Sequence, residues 1–275
     1  MNYRHAFHAG NFADCVKHAL LVALVSALCR KPAPFAVLDT HAGRGRYDLS
    51  AEAAGRTGEW RAGIGRLCGI GEGPLSPWLG LVRAAGFPPL YPGSPLLLRA
   101  LLREQDRLIL CEKHPEEAAA LRAAMGRDRR VAVHERDGWE AIGALTPFAE
   151  RRGLVLIDPP FEQPGEFARI AGAFRLLRRR FRAAVAAAWY PLKHRAPLRE
   201  FEESLREAGL TDIVAAELTL REPTDPARLN GCGMVVMNPP FGFGGEAQAI
   251  LDALLPRLAQ QEPGAGAEVR VVADE

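Results

Sequence analysis

The chain has 275 residues, of which 48% are hydrophobic and 25% are charged, and its formal net charge is +2. This is an ordinary soluble globular composition, and the length suits one large α/β domain with an insertion or two domains. The whole molecule is not a polycation, so nucleic-acid binding would have to come from local basic patches.

The cysteines and the N-terminus indicate a compartment. The five cysteines are an odd number and form no Cys-x-x-Cys pair, so neither a disulfide framework nor a zinc site is indicated, and a reducing cytosol fits best. Polar residues interrupt the N-terminus, which therefore lacks the layout of a signal sequence, and no apolar run reaches about 18 residues. We expect a cytoplasmic protein without a membrane span.

The first predicted element is a helix from about Phe12 to Cys29, with Asn11 as its N-cap. A short apolar run then ends at Asp39 and is followed by Thr40-His41-Ala42-Gly43-Arg44-Gly45. A strand that leads into a Gly-rich turn is typical of a ligand-binding edge, because small residues let the backbone approach a ligand closely.

Residues 48–93 interrupt the expected alternation of strands and helices. They contain a Gly- and Pro-rich piece and one clear helical stretch around 78–85. We interpret 48–93 as an inserted, mainly helical subdomain, and residues 1–47 with 94–275 as the main domain. The chain returns through Tyr91-Pro92-Gly93-Ser94-Pro95, with Ser94 as the expected N-cap of the next helix.

Strands and helices then alternate regularly, which predicts a mostly parallel, doubly wound sheet. Two consecutive strands near the end, 211–220 and 233–237, indicate an antiparallel edge. The residues after 261 could form a late edge strand or a frayed tail.

Acidic residues follow three successive strands, at Asp39, Glu112 and Asp137. A Gly-rich turn after the first strand and an acid after the second are how such sheets hold a nucleoside, the acid binding the ribose hydroxyls. Asp137 could accept a hydrogen bond from an adenine amino group. Each acid could also be a simple polar loop residue, but three in order favour a nucleoside site.

The buried strand at 154–157 runs directly into Asp158-Pro159-Pro160-Phe161. Ionised Asp158 and the Pro159 carbonyl are two acceptors held by a stiff turn, which suits one NH2 group, and Phe161 offers a face for a stacked base. Such acceptors would free the lone pair of an exocyclic amine for attack on an electrophilic methyl group. Asp158 could also take the departing proton. The alternative interpretation is a rigid turn without chemistry.

Two other sequence patterns each have a functional and a structural interpretation. Asn238-Pro239-Pro240-Phe241 matches the amine-methylation motif of DNA adenine and protein glutamine methyltransferases, but it follows a late strand and is better interpreted as a strand stop. A run of arginines on a predicted helix is either a phosphate-binding face or a solvated helix end. Its members are Arg175, Arg178, Arg179, Arg180 and Arg182.

The whole pattern resembles one family, the bacterial 23S ribosomal RNA adenine-N6 methyltransferases (the RlmJ family), which are class I S-adenosylmethionine-dependent enzymes. The resemblance runs in order along nearly the whole chain. It rests on residues 3–11, Asp14, Lys17-His18, Asp39 to Tyr47, Tyr91 to Pro95, residues 102–106, Arg136-Asp137-Gly138, Leu156 to Pro160 and Trp189-Tyr190-Pro191.

The resemblance implies a Rossmann-like, mostly parallel sheet with an antiparallel last strand, and it implies residue roles. Asp158 would be the catalytic carboxylate, with Pro159 and Phe161 beside it, and Tyr3 would meet the RNA. We add Arg4 and Lys17 as expected RNA contacts. The residues implied to contact S-adenosylmethionine are His18, His41, Ser94, Glu112, Asp137, Gly138 and Asp158.

We therefore predict a monomeric, cytoplasmic enzyme that methylates adenine N6 in 23S ribosomal RNA without a metal. The rival functions are the same chemistry on DNA or on a protein amide, and an NAD-dependent oxidoreductase. The oxidoreductase is disfavoured because Gly43-x-Gly45 lacks the third glycine of the dinucleotide motif.

Overall fold

The structure is a computed structural model, and it describes residues 7–259 and 262–274. Its elements are, in chain order, α1 (Phe12–Cys29), β1 (Ala36–Asp39), β2 (Arg46–Asp48), α2 (Glu52–Thr57), α3 (Glu59–Ala62), α4 (Ser76–Ala84), β3 (Leu90–Pro92), α5 (Ser94–Leu101), β4 (Arg107–Glu112), α6 (Pro115–Met125), β5 (Val131–Glu135), α7 (Gly138–Leu145), β6 (Gly153–Ile157), α8 (Glu166–Arg180), β7 (Ala184–Leu192), α9 (Arg195–Glu207), β8 (Ile213–Thr219), β9 (Gly231–Met237), α10 (Phe243–Leu258) and β10 (Gly266–Ala273).

A central sheet has the strand order β10-β8-β9-β7-β6-β1-β4-β5. The pairs β1–β4, β1–β6, β4–β5 and β6–β7 are parallel, so five strands present their carboxyl ends at one edge. Helices cover both faces, and β6 is buried along its whole length, as its unbroken apolar run predicts. The predicted α/β fold class is confirmed.

The sheet has the antiparallel edge that the sequence predicts, and it also has an antiparallel strand inside it. Strand β9 runs antiparallel between β7 and β8, and β10 then pairs antiparallel with β8 and forms the edge. The end of the chain is therefore an edge strand. Because β9 runs the other way, its last residue lies at the edge opposite to that of β6.

Helix α1 is the apolar helix at the centre of one layer. Asn11 caps it as predicted, its side chain accepting from the Asp14 amide at 3.0 Å. By its 18 residues and its mean hydropathy of 1.7, α1 could cross a membrane, which corrects our estimate of the longest apolar stretch. However, 83% of it is buried, in a core shared with α5 and α10, so packing explains its composition.

The segment between β1 and α5 contains the predicted helical stretch as α4, but also elements that the sequence did not reveal. Strands β2 and β3 pair antiparallel and bring the two ends of the segment together. Each has only three residues, too few for a readable alternation of side chains. Trp78, Ile64 and Leu67 pack into the same core as α1. The division of the chain into a main domain and a 48–93 subdomain stays a prediction.

Candidate active site

A cavity of about 1180 Å³ opens at the carboxyl edge of the parallel strands. The residues predicted to bind a nucleoside or carry chemistry converge on it, although they are spread from α1 to the loop after β6. Those lining it are Lys17, His18, His41, Ser94, Glu112, Asp137, Gly138, Asp158, Pro159 and Phe161. Tyr3 and Arg4 lie outside the described residues.

Asp158 forms an ion pair with a lysine of α1, which is distant in the sequence. The Lys17 ammonium donates to Asp158 Oδ2 at 2.6 Å and lies 2.9 Å from Asp14 Oδ1. Burial would lower the pKa of Lys17, but the Asp14 and Asp158 carboxylates raise this pKa well above its usual value. The side chain is a fixed ammonium between two carboxylates, 7% exposed. A phosphate would have to displace a carboxylate to reach it, so this position does not fit the RNA contact expected of Lys17.

The other oxygen of Asp158 is available. Within the described residues no donor is bonded to Asp158 Oδ1, and none is bonded to the Pro159 carbonyl. Phe161 has φ of 52°, a left-handed conformation that is rare outside glycine. Its ring makes edge contacts with Phe167 and Trp189, at centroid distances of 5.1 Å and 5.8 Å. Two acceptors and an aromatic ring are thus fixed together at the end of β6.

Asp39 ends β1 in a fully buried position. Its Oδ2 accepts a hydrogen bond from Ser94 Oγ at 2.7 Å. We had expected Ser94 to cap α5, but its hydroxyl binds Asp39 and does not cap the helix. Gly93 is the capping residue instead. Burial raises the pKa of Asp39 to about 7, although the Ser94 hydrogen bond opposes the shift.

Glu112, at the end of β4, organises the Gly-rich turn. One of its oxygens accepts from the Gly43 amide at 2.9 Å and the other from the His114 amide at 2.8 Å. Arg44 in the same turn forms a two-bond pair with Glu117, at 2.8 Å and 2.6 Å. The charge of Arg44 is therefore balanced within the protein. The carboxylate of Glu112 therefore lies next to the Gly-rich turn and is fixed there by two backbone amides.

Asp137 caps α7, accepting from the Trp139 amide at 2.9 Å, and pairs with Lys113 at 3.0 Å. Burial opposes ionisation of Asp137, but these two donors outweigh it and lower its pKa. Gly138 is required here, because a Cβ would lie 2.0 Å from the Thr40 carbonyl oxygen. The first turn of α7 therefore packs directly against the loop after β1.

Two of the histidines that line the cavity, His18 and His41, contact aromatic side chains. His41 packs edge-on against Trp139, and burial lowers its pKa to about 4, so it is uncharged near neutral pH. His18 Nδ1 lies 2.8 Å from the buried Tyr91 hydroxyl of β3. The β2–β3 ribbon is in this way tied to α1 beside the site.

Several residues around the site make contacts that local sequence patterns do not predict. Glu59 of α3 lies 3.0 Å from both His8 Nδ1 and Asn11 Nδ2, and the Ile64 amide donates to the Gly10 carbonyl at 2.9 Å. The segment 48–93 therefore helps to hold the residues that precede α1. Only the resemblance to the family pointed to Asp14, since no local pattern links it to Lys17 and Asp158.

Asn238 is remote from the cavity. Its amide donates to the carbonyl oxygens of Arg182 and Ala184, at 2.8 Å and 2.7 Å, where β7 begins. Because β9 is antiparallel, this position is at the amino edge of the parallel strands. Its side chain closes the β7–β9 pairing, in agreement with a strand stop.

A metal site is not visible in the part of the chain that the structure describes. No group of three or more His, Cys, Asp or Glu side chains there could hold a metal ion. The cavity is lined by carboxylates, hydroxyls, imidazoles and cationic side chains together with aromatic rings, a mixture that suits an organic ligand.

The sheet order and the cavity at its carboxyl edge define the class I methyltransferase fold. A family model described as "Ribosomal RNA large subunit methyltransferase D, RlmJ" matches residues 32–271, and the chain belongs to this family. The resemblance found in the sequence is therefore confirmed.

Individual relatives match over nearly the whole chain. It is 37% identical over 269 residues to "Ribosomal RNA large subunit methyltransferase J" of Escherichia coli, covering 96% of each chain. It is 36% identical over 270 residues to the protein of the same name from Haemophilus influenzae, again over 96% of each chain. A crystal structure of a Legionella pneumophila protein is similar with a TM-score of 0.86 and 32% identity, covering 96% of this chain and 98% of that chain.

Proposed function

We propose that this protein transfers a methyl group from S-adenosylmethionine to the N6 amine of an adenine in 23S ribosomal RNA. The observation that carries the proposal is the pair of unoccupied acceptors, Asp158 Oδ1 and the Pro159 carbonyl, beside the Phe161 ring. Family membership supports the choice of ribosomal RNA.

The acidic groups along the sheet edge fit the donor molecule. Glu112 lies at the mouth of the Gly-rich turn, where a carboxylate accepts from ribose hydroxyls, and Asp137 lies where an adenine amino group can donate. His18, His41, Ser94 and Gly138 complete this part of the cavity wall. When bound, S-adenosylmethionine supplies an electrophilic methyl group on its sulfonium.

Asp158 and Pro159 act on the amine. Each accepts one of its two hydrogens, which favours a tetrahedral nitrogen with its lone pair directed at the methyl group. Asp158 Oδ1 is placed to take the proton that the methylated amine loses. Lys17 is a positioning residue: by holding Oδ2 it fixes the carboxylate plane and leaves Oδ1 towards the cavity.

The adenine has to leave its stack to reach this pocket. An unpaired or flipped base would stack on Phe161, whose ring Phe167 and Trp189 hold in place. Because the proposed substrate is ribosomal RNA, which is found where ribosomes assemble, we expect the protein to be cytoplasmic. We further expect a monomer, which light scattering of the purified protein would check.

The test uses labelled S-adenosylmethionine, 23S RNA that lacks its modifications, and the Asp158→Ala variant. We expect N6-methyladenosine from the wild type, and product reduced by at least about 100-fold with the variant, since hydrogen bonds to the reacting centre contribute rate factors of this size. Equal product from both proteins would remove Asp158 from the reaction. Label on DNA or protein but not on RNA would contradict the substrate.

A further inference from the structure

The exposed face of α8 leads away from the cavity. This helix begins directly after the loop that carries Asp158 and Phe161, and Arg169 in its first turns lines the cavity. Positions 169, 172 and 175 follow at three-residue spacing and 179 follows 175 by four, so these positions are neighbours on the helix surface. Arg175 and Arg179, with Gly172 and Leu176, line a shallow groove there.

The structure divides the arginine run at the end of α8 into two groups. Arg178 donates to the Thr211 carbonyl, and Arg180 donates to the carbonyl oxygens of Gly143 and Thr146 at 2.8 Å and 3.1 Å. These two arginines therefore tie α8 to its neighbours. Arg175 and Arg179 are exposed and make no side-chain hydrogen bond to the described residues.

The charge on this face is only partly balanced by the protein: Arg169 interacts electrostatically with Glu166 and opposes the rise in the Glu166 pKa that burial causes. The sole acidic residue of α8 is Glu166, which is 4% exposed and lies at its first position. Among the described residues, no carboxylate forms an ion pair with Arg169, Arg175 or Arg179. The neighbouring helix α9 differs, because its Arg206 pairs with Glu202 of the same helix.

The same imbalance marks the cavity end of the face. Of the lysines and arginines that line the cavity, Lys17, Lys113 and Arg221 each pair with a carboxylate. Arg169 and Lys193 have no such partner in the described chain. Arg169 instead lies over the Trp139 ring, 5.6 Å from its centroid. An unpaired cation therefore lies where the cavity meets the α8 surface.

We propose that Arg169, Arg175 and Arg179, the α8 arginine stripe, bind the phosphate backbone of the substrate RNA as it leaves the cavity. The proposal rests on the proposed function. The ten helical steps from Arg169 to Arg179 span about 15 Å, enough for a few consecutive phosphates. Arginine suits this role because its planar fork can donate two hydrogen bonds to one phosphate.

The test compares two double variants that lose the same charge. Arg175→Gln with Arg179→Gln removes the part of the stripe outside the cavity. The matched control, Arg127→Gln with Arg129→Gln, changes two exposed arginines just before the edge strand β5, which α8 does not cover. Neither arginine forms an ion pair with a carboxylate of the described residues. Surface changes of this kind leave stability within about 0.5 kcal/mol, which circular dichroism melting would verify.

Affinity for an unmodified 23S RNA fragment is measured by fluorescence anisotropy over a range of salt concentrations, with S-adenosylhomocysteine present. For the stripe variant we expect the slope of log K against log salt to become shallower by about 1.4, which is about 0.7 for each lost phosphate contact on a single strand. The KM for RNA should rise while kcat stays at the wild-type value. The control should match the wild type in all three quantities.

A stripe variant with the wild-type slope, or a control variant with the same change, would overturn the proposal. So would a wild type that does not bind the RNA. If the wild type binds RNA but does not methylate it, the proposed function fails, while the salt slopes still decide the role of the stripe.

Discussion

The two carboxylate oxygens of Asp158 have different partners in the proposed reaction, and replacing one oxygen by an NH2 group tests these two roles. Asp158→Asn keeps the shape but turns one acceptor into an NH2 group, which would face either Lys17 or the amine of the substrate. We expect kcat to fall by about 100-fold or more, since one hydrogen bond to a reacting centre contributes on that scale. The Kd of S-adenosylhomocysteine, measured by calorimetry, should change by a smaller factor than kcat, since Asp158 is one of several residues implied to contact the ligand. Activity within tenfold of the wild type would contradict the assignment.

Lys17 forms ion pairs with two carboxylates, those of Asp14 and Asp158. Lys17→Met leaves Asp14 and Asp158 without this partner in a buried site, so we expect the free energy of unfolding to fall by about 3 kcal/mol, along with loss of activity. Urea denaturation measures the first effect and methyl transfer the second. Lys17→Arg keeps the charge and should recover most of the stability; if it is as unstable as Lys17→Met, charge pairing is not the cause.

The buried Asp39 makes stability depend on pH. Its pKa is raised from 3.8 to about 7, so the unfolded chain releases this proton at a lower pH than the folded chain. Its contribution therefore lowers the free energy of unfolding as pH rises from about 4 to about 7, and the full cost persists above that pH. We expect Asp39→Asn to be more stable than the wild type at pH 8, by a few kcal/mol, and about equal at pH 4. Thermal melts of both proteins across this range check the sign.

At the scale of elements, the long and strongly patterned segments were predictable. The helix from Phe12 to Cys29 and the buried strand before Asp158 follow from apolar periodicity and from proline at the strand end. The three-residue strands β2 and β3 were missed because local pattern carries too little information at that length. The place of β9 within the sheet was also missed, since strand order depends on long-range pairing that periodicity does not encode.

The last strand is fastened by a buried charge network. Arg270 of β10 pairs with Glu217 of β8, which is fully buried and accepts from the Tyr190 hydroxyl at 2.7 Å, and with Glu202 of α9. Arg270→Leu removes one partner from each carboxylate, while Arg195 still pairs with Glu217 and Arg206 with Glu202. We therefore expect a loss of about 2 kcal/mol in urea denaturation, the scale of a hydrogen bond to a charged group.

The matched control for this network is Arg228→Leu. Its pair with Glu262 at 3.5 Å is more exposed, and such surface pairs contribute about 0–1 kcal/mol. Similar losses in the two variants would show that burial of the Arg270 pairs does not matter.

For the whole molecule, the cofactor proposal predicts coupling between ligand and stability. S-adenosylhomocysteine at 100 times its Kd should raise the free energy of unfolding by about 2.7 kcal/mol, provided that it binds only the folded chain. Asp137→Ala should reduce this gain at the same concentration, because the variant loses an acceptor in the cavity. A melting temperature that does not respond to the ligand in the wild type would contradict the assigned cofactor.

The candidate site was predictable where it depends on strand ends. Parallel strands bring their carboxyl ends to one edge of the sheet. The sequence alone therefore predicts that Asp39, Glu112, Asp137 and Asp158 lie near one another. The contact between Lys17 and Asp158 could not be derived from periodicity, because the two residues are 141 positions apart and join different layers. The same holds for the contacts of Glu59 with the start of α1.

The cavity wall runs from His8 to Leu258, and Arg66 donates to the Leu258 carbonyl where α10 ends. During synthesis, the first 250 or so residues can therefore leave the ribosome without enclosing a complete site. The wall closes only when the final turn of α10 has emerged and docked. A shortened chain that stops before α10 would therefore lack part of this wall, however well its strands had formed.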